Sequence, residues 1–102
     1  MSHVRIVELS DTSPGEALSV TLGKRSLVLF HTADGFYAMD DACPHAGAPL
    51  SGGNVVGGTV TCPLHAWRFQ LADGQLVGNP KIRVACYPVH VADGAVWVEL
   101  PN

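Results

Sequence analysis

Cys43-Pro44-His45-Ala46-Gly47-Ala48-Pro49-Leu50-Ser51-Gly52-Gly53, joined through eight residues to Cys62-Pro63-Leu64-His65-Ala66-Trp67, is the stretch on which the reading of this chain turns. Each half carries a cysteine and then a histidine, and sixteen residues separate His45 from Cys62. Two thiolates and two imidazoles thus leave two short loops in the same order each time. The pairing suits a site for two metal ions, one ion taking the sulfurs of Cys43 and Cys62 and the other taking ring nitrogens of His45 and His65. A single zinc ion also accepts two cysteines and two histidines. Zinc loops usually leave roughly two to four residues between ligands, whereas Cys43 and His45 leave one, and both pairs would have to converge on one ion. A zinc-stabilised interaction module is therefore the alternative from a different class.

Pro44 and Pro63 each follow a candidate ligand, fixing φ and stiffening the turn that presents it. From Asp41 to Gly58 the chain is crowded with proline and glycine, too many breakers for the interior of a helix or strand. This segment reads as an ordered loop with one helical turn, followed by short strands at Asn54–Val56 and Thr59–Thr61. Glycine there lets backbone N–H groups approach a bound group closely.

Around the loops the pattern is that of strands. Polar and apolar residues alternate in Val4–Leu9, Ala17–Leu22, Tyr87–Val91 and Ala95–Leu100, the period of a half-buried strand. Ala-Asp-Gly occurs at 33–35, 72–74 and 92–94. Each copy sits where a tight turn would join two strands. Three hairpins are predicted: Ser26–Thr32 with Phe36–Asp40, Trp67–Leu71 with Gln75–Gly78, and Tyr87–Val91 with Ala95–Leu100. Pro14-Gly15 is read as the turn between the first two strands, and Gly23-Lys24 as the next. The fold class is all-β.

The 102 residues suffice for one domain, 1–102, with a cluster-binding subdomain at about 41–70. Hydrophobic residues make up 47% and charged residues 15%, a globular composition. Six scattered Lys and Arg give no phosphate-binding stripe, which argues against nucleic acid as a partner. The net charge of −3 suits a partner surface more basic than itself. The first ten residues hold no apolar stretch, and the longest aliphatic run, Leu27–Phe30, is far short of the ~20 residues that span a bilayer. A soluble, cytoplasmic chain is expected, in which cysteines stay reduced unless they bind metal.

The residues quoted above, with Ala48-Pro49-Leu50-Ser51-x-Gly53, Trp67-Arg68-Phe69 and the Asp73-Gly74 turn, make the chain resemble the Rieske [2Fe-2S] family over nearly its whole length. Within it the chain is similar to the short ferredoxins of ring-hydroxylating dioxygenases and to the small subunits of NAD(P)H-dependent nitrite reductases. The resemblance implies an antiparallel Rieske-type β sandwich and one [2Fe-2S] cluster held by Cys43, His45, Cys62 and His65. It implies an electron-transfer component rather than an enzyme, working between a flavin-dependent reductase and a terminal oxygenase, or beside the large subunit of a nitrite reductase. No membrane association is implied. The branch in cytochrome complexes carries a loop disulfide and a serine donor to sulfur; the matching positions here are Ala48, Leu64 and Trp67. With fewer donors to sulfur the reduction potential is expected toward the low end of the Rieske range, about −150 mV.

The remaining candidates have plainer readings. Cys86 is read as a small buried hydrophobe, and His3, His31 and His90 as surface or edge residues. Leu50 and Trp67 are assigned to packing beneath the loops; Ala46, Pro49 and Leu64 are assigned to a small apolar docking surface.

Overall fold

The computed structural model describes residues 2–43, 47–63 and 66–101. Its strands are β1 (Ser2–Glu8), β2 (Ala17–Leu22), β3 (Arg25–Thr32), β4 (Gly35–Asp40), β5 (Asn54–Val56), β6 (Thr59–Thr61), β7 (Arg68–Gln70), β8 (Gln75–Leu76), β9 (Asn79–Arg83), β10 (Cys86–Tyr87), β11 (Val89–Ala92) and β12 (Ala95–Leu100). They form three sheets, ordered β1-β12-β11, β10-β4-β3-β2 and β5-β6-β7-β8-β9, and every pairing is antiparallel. Two 3-10 turns, Leu9–Asp11 and Leu50–Gly52, interrupt them. Among the described residues no helix is long and apolar enough to cross a membrane.

The β3 sequence explains the layering. Leu27, Val28, Leu29 and Phe30 are all buried, so this strand is covered on both faces rather than one. Leu27 and Leu29, with Ala38 and Tyr87, pack against Val96 and Val98 of β12. Val28, Phe30 and Met39 belong to the opposite core, with Leu50, Val60, Phe69, Leu71 and Val84. The β2–β4 sheet is thus the middle layer, with the terminal strands on one side and the β5–β9 sheet on the other. Each buried side chain of this size contributes about 1.5–3 kcal/mol.

The three Asp-Gly hairpins are present, but their turns differ. Asp93 and Gly94 both have positive φ, 55° and 72°, the two-residue type that matches strand twist. At Ala33-Asp34-Gly35 only the glycine is positive, at 136°. At Asp73-Gly74 the aspartate side chain accepts the Gln75 backbone N–H at 2.9 Å. The strands at 54–56 and 59–61 stand at the expected positions, joined by Gly57-Gly58 with φ of 57° and 80°.

Pro14-Gly15 turns the chain between β1 and β2 as expected, although these two strands do not pair: β1 pairs with β12. One expectation changes. Tyr87 belongs to β10 beside Ala38, because Pro88 interrupts the run before Val89. The strand Asn79–Arg83, which the alternation does not mark, carries Pro80 at the outer edge of its sheet, where the missing N–H costs little. Beside β10, Tyr87 Oη donates to Asp40 Oδ1 at 2.6 Å and accepts from Arg25 Nη1 at 3.0 Å, tying the end of β4 to the start of β3. Burial, and then this bond to Asp40, push the Tyr87 hydroxyl's pKa up.

Candidate metal centre

The two cysteine loops are built alike although one leaves a strand end and the other is a hairpin. The first runs from Asp41, just past β4, to the 3-10 turn at Leu50; the second joins β6 to β7. In each, the cysteine N–H donates to the carbonyl five residues on: Cys43 to Ala48 at 2.9 Å, Cys62 to Trp67 at 2.7 Å. In each, the residue four places after the cysteine is left-handed, Gly47 at φ 69° and Ala66 at φ 57°. A non-glycine residue there costs about 1–2 kcal/mol, so Ala66 is held in place by the closure around it. Each loop is therefore a closed ring of backbone with its cysteine at the entrance.

Both cysteines are buried, 1% and 2% exposed, in the same apolar core as Ala48, Leu50 and Phe69, and Trp67 packs against it. Leu50 and Trp67 thus do the packing expected of them, and Pro49 is exposed. His45 and His65, with Pro44, Ala46 and Leu64, lie outside the described residues. Among the described residues no group of three or more His, Cys, Asp or Glu side chains is arranged to hold an ion. His31 instead hydrogen-bonds Thr12 at 3.1 Å and stacks on Phe36; His90 lies between the rings of His3 and Trp97.

Asp41 is a component that sequence reading missed. Its carboxylate is 6% exposed and accepts from Ser19 Oγ at 3.0 Å, from the Ser51 N–H at 2.7 Å and from Ser51 Oγ at 3.1 Å. Its backbone N–H donates to Ser26 at 2.9 Å and its carbonyl accepts from Leu50 at 2.5 Å. One residue thus pins both ends of the first loop to β2 and β3. The signal lay in two serines, 22 and 10 positions away, that carry no mark of the partnership.

Cys86 stands apart. Its thiol donates weakly to the Val84 carbonyl at 3.7 Å and packs against Gly74, on the turn side of the β5–β9 sheet. Burial raises its pKa, Asp73 and then Asp40 push the same way, and Arg83 opposes them. The thiol is protonated and inert at neutral pH. Cys86→Ala is expected to keep the full metal content per chain, and Cys86 should alkylate more slowly with iodoacetamide at pH 8 than a free cysteine; a Cys86→Ala protein that loses its iron would refute this.

Two loops closed by matching backbone bonds, each with a buried thiol at its start in one apolar core, are the arrangement that comparison with known proteins identifies as that of an iron–sulfur protein. The chain belongs to the Rieske [2Fe-2S] domain family, which matches residues 2–88. It is 35% identical, over 100% of its length and 97% of the relative's, to a 3-phenylpropionate/cinnamic acid dioxygenase ferredoxin subunit of Shigella flexneri serotype 5b. A complex of reduced oxygenase and oxidized ferredoxin in carbazole 1,9a-dioxygenase contains a chain that superposes with a TM-score of 0.85 at 31% identity, covering 94% of this chain and 91% of that one. A putative NADH-dependent nitrite reductase small subunit from Mycobacterium tuberculosis superposes with a TM-score of 0.86 at 26% identity, covering 99% and 97%. The cofactor is accordingly a Rieske-type [2Fe-2S] cluster, which displaces the zinc reading. The described donors fit it: Cys43 and Cys62 are buried in one apolar core, which would keep water from a cluster bound there, and the backbone bonds from Cys43 to Ala48 and from Cys62 to Trp67 fix the loop ends.

Proposed function

We propose that this chain is a one-electron carrier that takes an electron from a flavoprotein reductase and delivers it to a terminal oxygenase. The observation that carries the reading is the matched pair of closed loops with Cys43 and Cys62 buried at their entrances. Cys43 and Cys62 would bind one iron, and His45 and His65 the other. The cluster supplies a site that accepts and releases one electron, at a potential raised by neutral imidazole ligands. The protein's part is to hold the thiolates still and keep water from the sulfurs. The ferredoxin names of its relatives support a carrier with no substrate site of its own. The whole chain is read as one domain, with about 41–70 as its cluster-binding part, working in the cytoplasm.

The second reading, a small subunit of an NAD(P)H-dependent nitrite reductase, is favoured by the likeness to two nitrite reductase small-subunit structures. Purified protein should contain two irons per chain and restore turnover when added to a reductase and a ring-hydroxylating oxygenase. Tight co-purification with a large flavin- and sirohaem-bearing chain, and no transfer to an oxygenase, would favour the nitrite reductase role. Colourless, iron-free protein after anaerobic reconstitution would end both. Histidine ligation also predicts pH dependence. At alkaline pH the midpoint should fall by about 59 mV per pH unit for each proton coupled to the electron. Protein-film voltammetry that gave a flat line into strongly alkaline pH would remove His45 and His65 from the ligand set.

A further inference from the structure

The chain's net charge is −3, yet its charges are segregated. From Ala42 to Ala72 the only formal charge is the guanidinium of Arg68. Across the sheet from Asn54 to Arg83 the cations are Arg68, Lys81 and Arg83, and the one acid is Asp73. Asp73 is folded into the β7–β8 turn, where it accepts the Gln75 N–H. The acidic residues lie mostly in the two other layers, before Ala42 and after Ala92.

Arg68 has a particular place. It follows Trp67, whose carbonyl closes the second loop, and it pairs across the sheet with Thr61, next to Cys62. Phe69 points into the core, so Arg68 on the same strand faces outward and is exposed. With Ala66, Trp67, Leu76 and Val77 it lines an open notch of about 250 Å³. Val77 is 39% exposed there, and its N–H donates to the Arg68 carbonyl at 2.9 Å. Among the described residues the ion pairs are His3–Glu99 and Arg5–Glu8, and neither involves Arg68. A cation with no ion-pair partner among the described residues, set in a mixed polar and apolar notch beside the second cysteine loop, is suited to meet an acidic surface.

We propose that this notch is where a protein redox partner docks, and that the partner presents a carboxylate patch to Arg68 beside an apolar contact for Val77 and Ala66. The sign is opposite to the one that the net charge suggests. The proposal rests on the electron-carrier reading and adds the chemistry of the partner surface. At 0.1 M salt the screening length is about 10 Å, so Arg68, which pairs with Thr61 next to Cys62, weighs more at this face than the acids of the other two layers. Steering of this kind acts on encounter rates and on their salt dependence.

The test uses two outer-sphere oxidants of opposite charge. Loaded protein is reduced with dithionite, freed of excess reductant and mixed with hexacyanoferrate(III) or with tris(phenanthroline)cobalt(III). Each cluster gives one electron, yielding hexacyanoferrate(II) or the cobalt(II) complex. From about 0.01 to 0.3 M salt the screening length falls from about 30 Å to less than about 10 Å. The rate with the ferricyanide anion is expected to fall severalfold over that span, and the rate with the cobalt cation to rise or stay flat. Net charge alone predicts the reverse. Arg68→Glu should invert both slopes, and Arg68→Gln should flatten them, with the visible spectrum of the cluster unchanged. A second readout needs no electron transfer: poly-L-glutamate should bind the wild-type protein at low salt in a calorimetric titration and fail to bind Arg68→Glu. A ferricyanide rate that climbs with salt, slopes indifferent to Arg68, or no poly-L-glutamate binding would overturn the docking proposal and leave the electron carrier standing. Protein that takes up no iron would overturn both.

Discussion

Gly53→Ala is expected to cost about 3 kcal/mol or more and to lower the iron retained per chain, while Gly52→Ala one position earlier is close to neutral. A Cβ at Gly53 would fall inside the contact distance of the Thr61 backbone carbonyl and within 3.2 Å of the Leu50 carbonyl oxygen, and backbone on both sides cannot step aside as a side chain can. Overpacking of a rigid site commonly costs about 1–3 kcal/mol, and a backbone-to-backbone collision belongs at the top of that range or above. The location gives the change its chemical consequence. Thr61 immediately precedes Cys62, so the strand end that must move carries one of the two buried thiols. At Gly52, by contrast, a Cβ would meet nothing within 4 Å. Urea unfolding monitored by circular dichroism, alongside iron content, measures both effects. Equal midpoints for the two variants would show that Leu50–Gly53 and Thr61 are not in the close register described.

Asp41→Ala should destabilise the protein by about 3 kcal/mol and accelerate loss of iron on storage. Three donors converge on this buried carboxylate, and removing it strands the Ser51 N–H together with two hydroxyls. Hydrogen bonds to a charged acceptor contribute about 1.5–3 kcal/mol each, though a shared acceptor makes them less than additive. Asp41→Asn keeps the shape but turns an amide toward donors, so it should recover only part of the loss. With Oδ1 kept on the Ser51 backbone N–H, the new N–H groups face the two serine hydroxyls, which can rotate to accept; what is lost is the carboxylate's charge. An Asn variant indistinguishable from wild type in urea midpoint would mean that the carboxylate's charge contributes nothing to the clamp. An Ala variant that behaves like wild type would remove Asp41 from the support of the first loop altogether.

Much of this arrangement could be read from local signals, and what escaped has a common cause. Cys43, Cys62 and their flanking prolines announce themselves because the chemistry needs those residue types at short range. Asp34-Gly35, Asp73-Gly74 and Asp93-Gly94 mark hairpins because turn geometry is a property of two or three neighbours. The missed features depend on partners far away in sequence. β1 offers an ordinary alternating pattern, and nothing in it reveals that its neighbour is β12. Asp41 looks like any acid at a strand end until Ser19 and Ser51 fold onto it. Gly53 reads as one breaker among many; only the approach of Thr61 makes it irreplaceable. β9 carries Pro80 at a sheet edge, and propensity alone carries no information about whether a position will be an edge.

The middle sheet's double coverage divides the molecule's tolerance to change. Leu27 to Phe30 serve two interiors in alternation, so any alteration of β3 is felt on both sides at once. The outward surface of the β5–β9 layer serves neither. Arg68, Gln70 and Lys81 are exposed there, and Arg68 directly follows the second cysteine loop. Recognition can therefore be rewritten on one skin of the protein while the scaffold beneath it stays as it is, and a new redox pairing should be reachable by grafting a handful of these outer positions from another carrier.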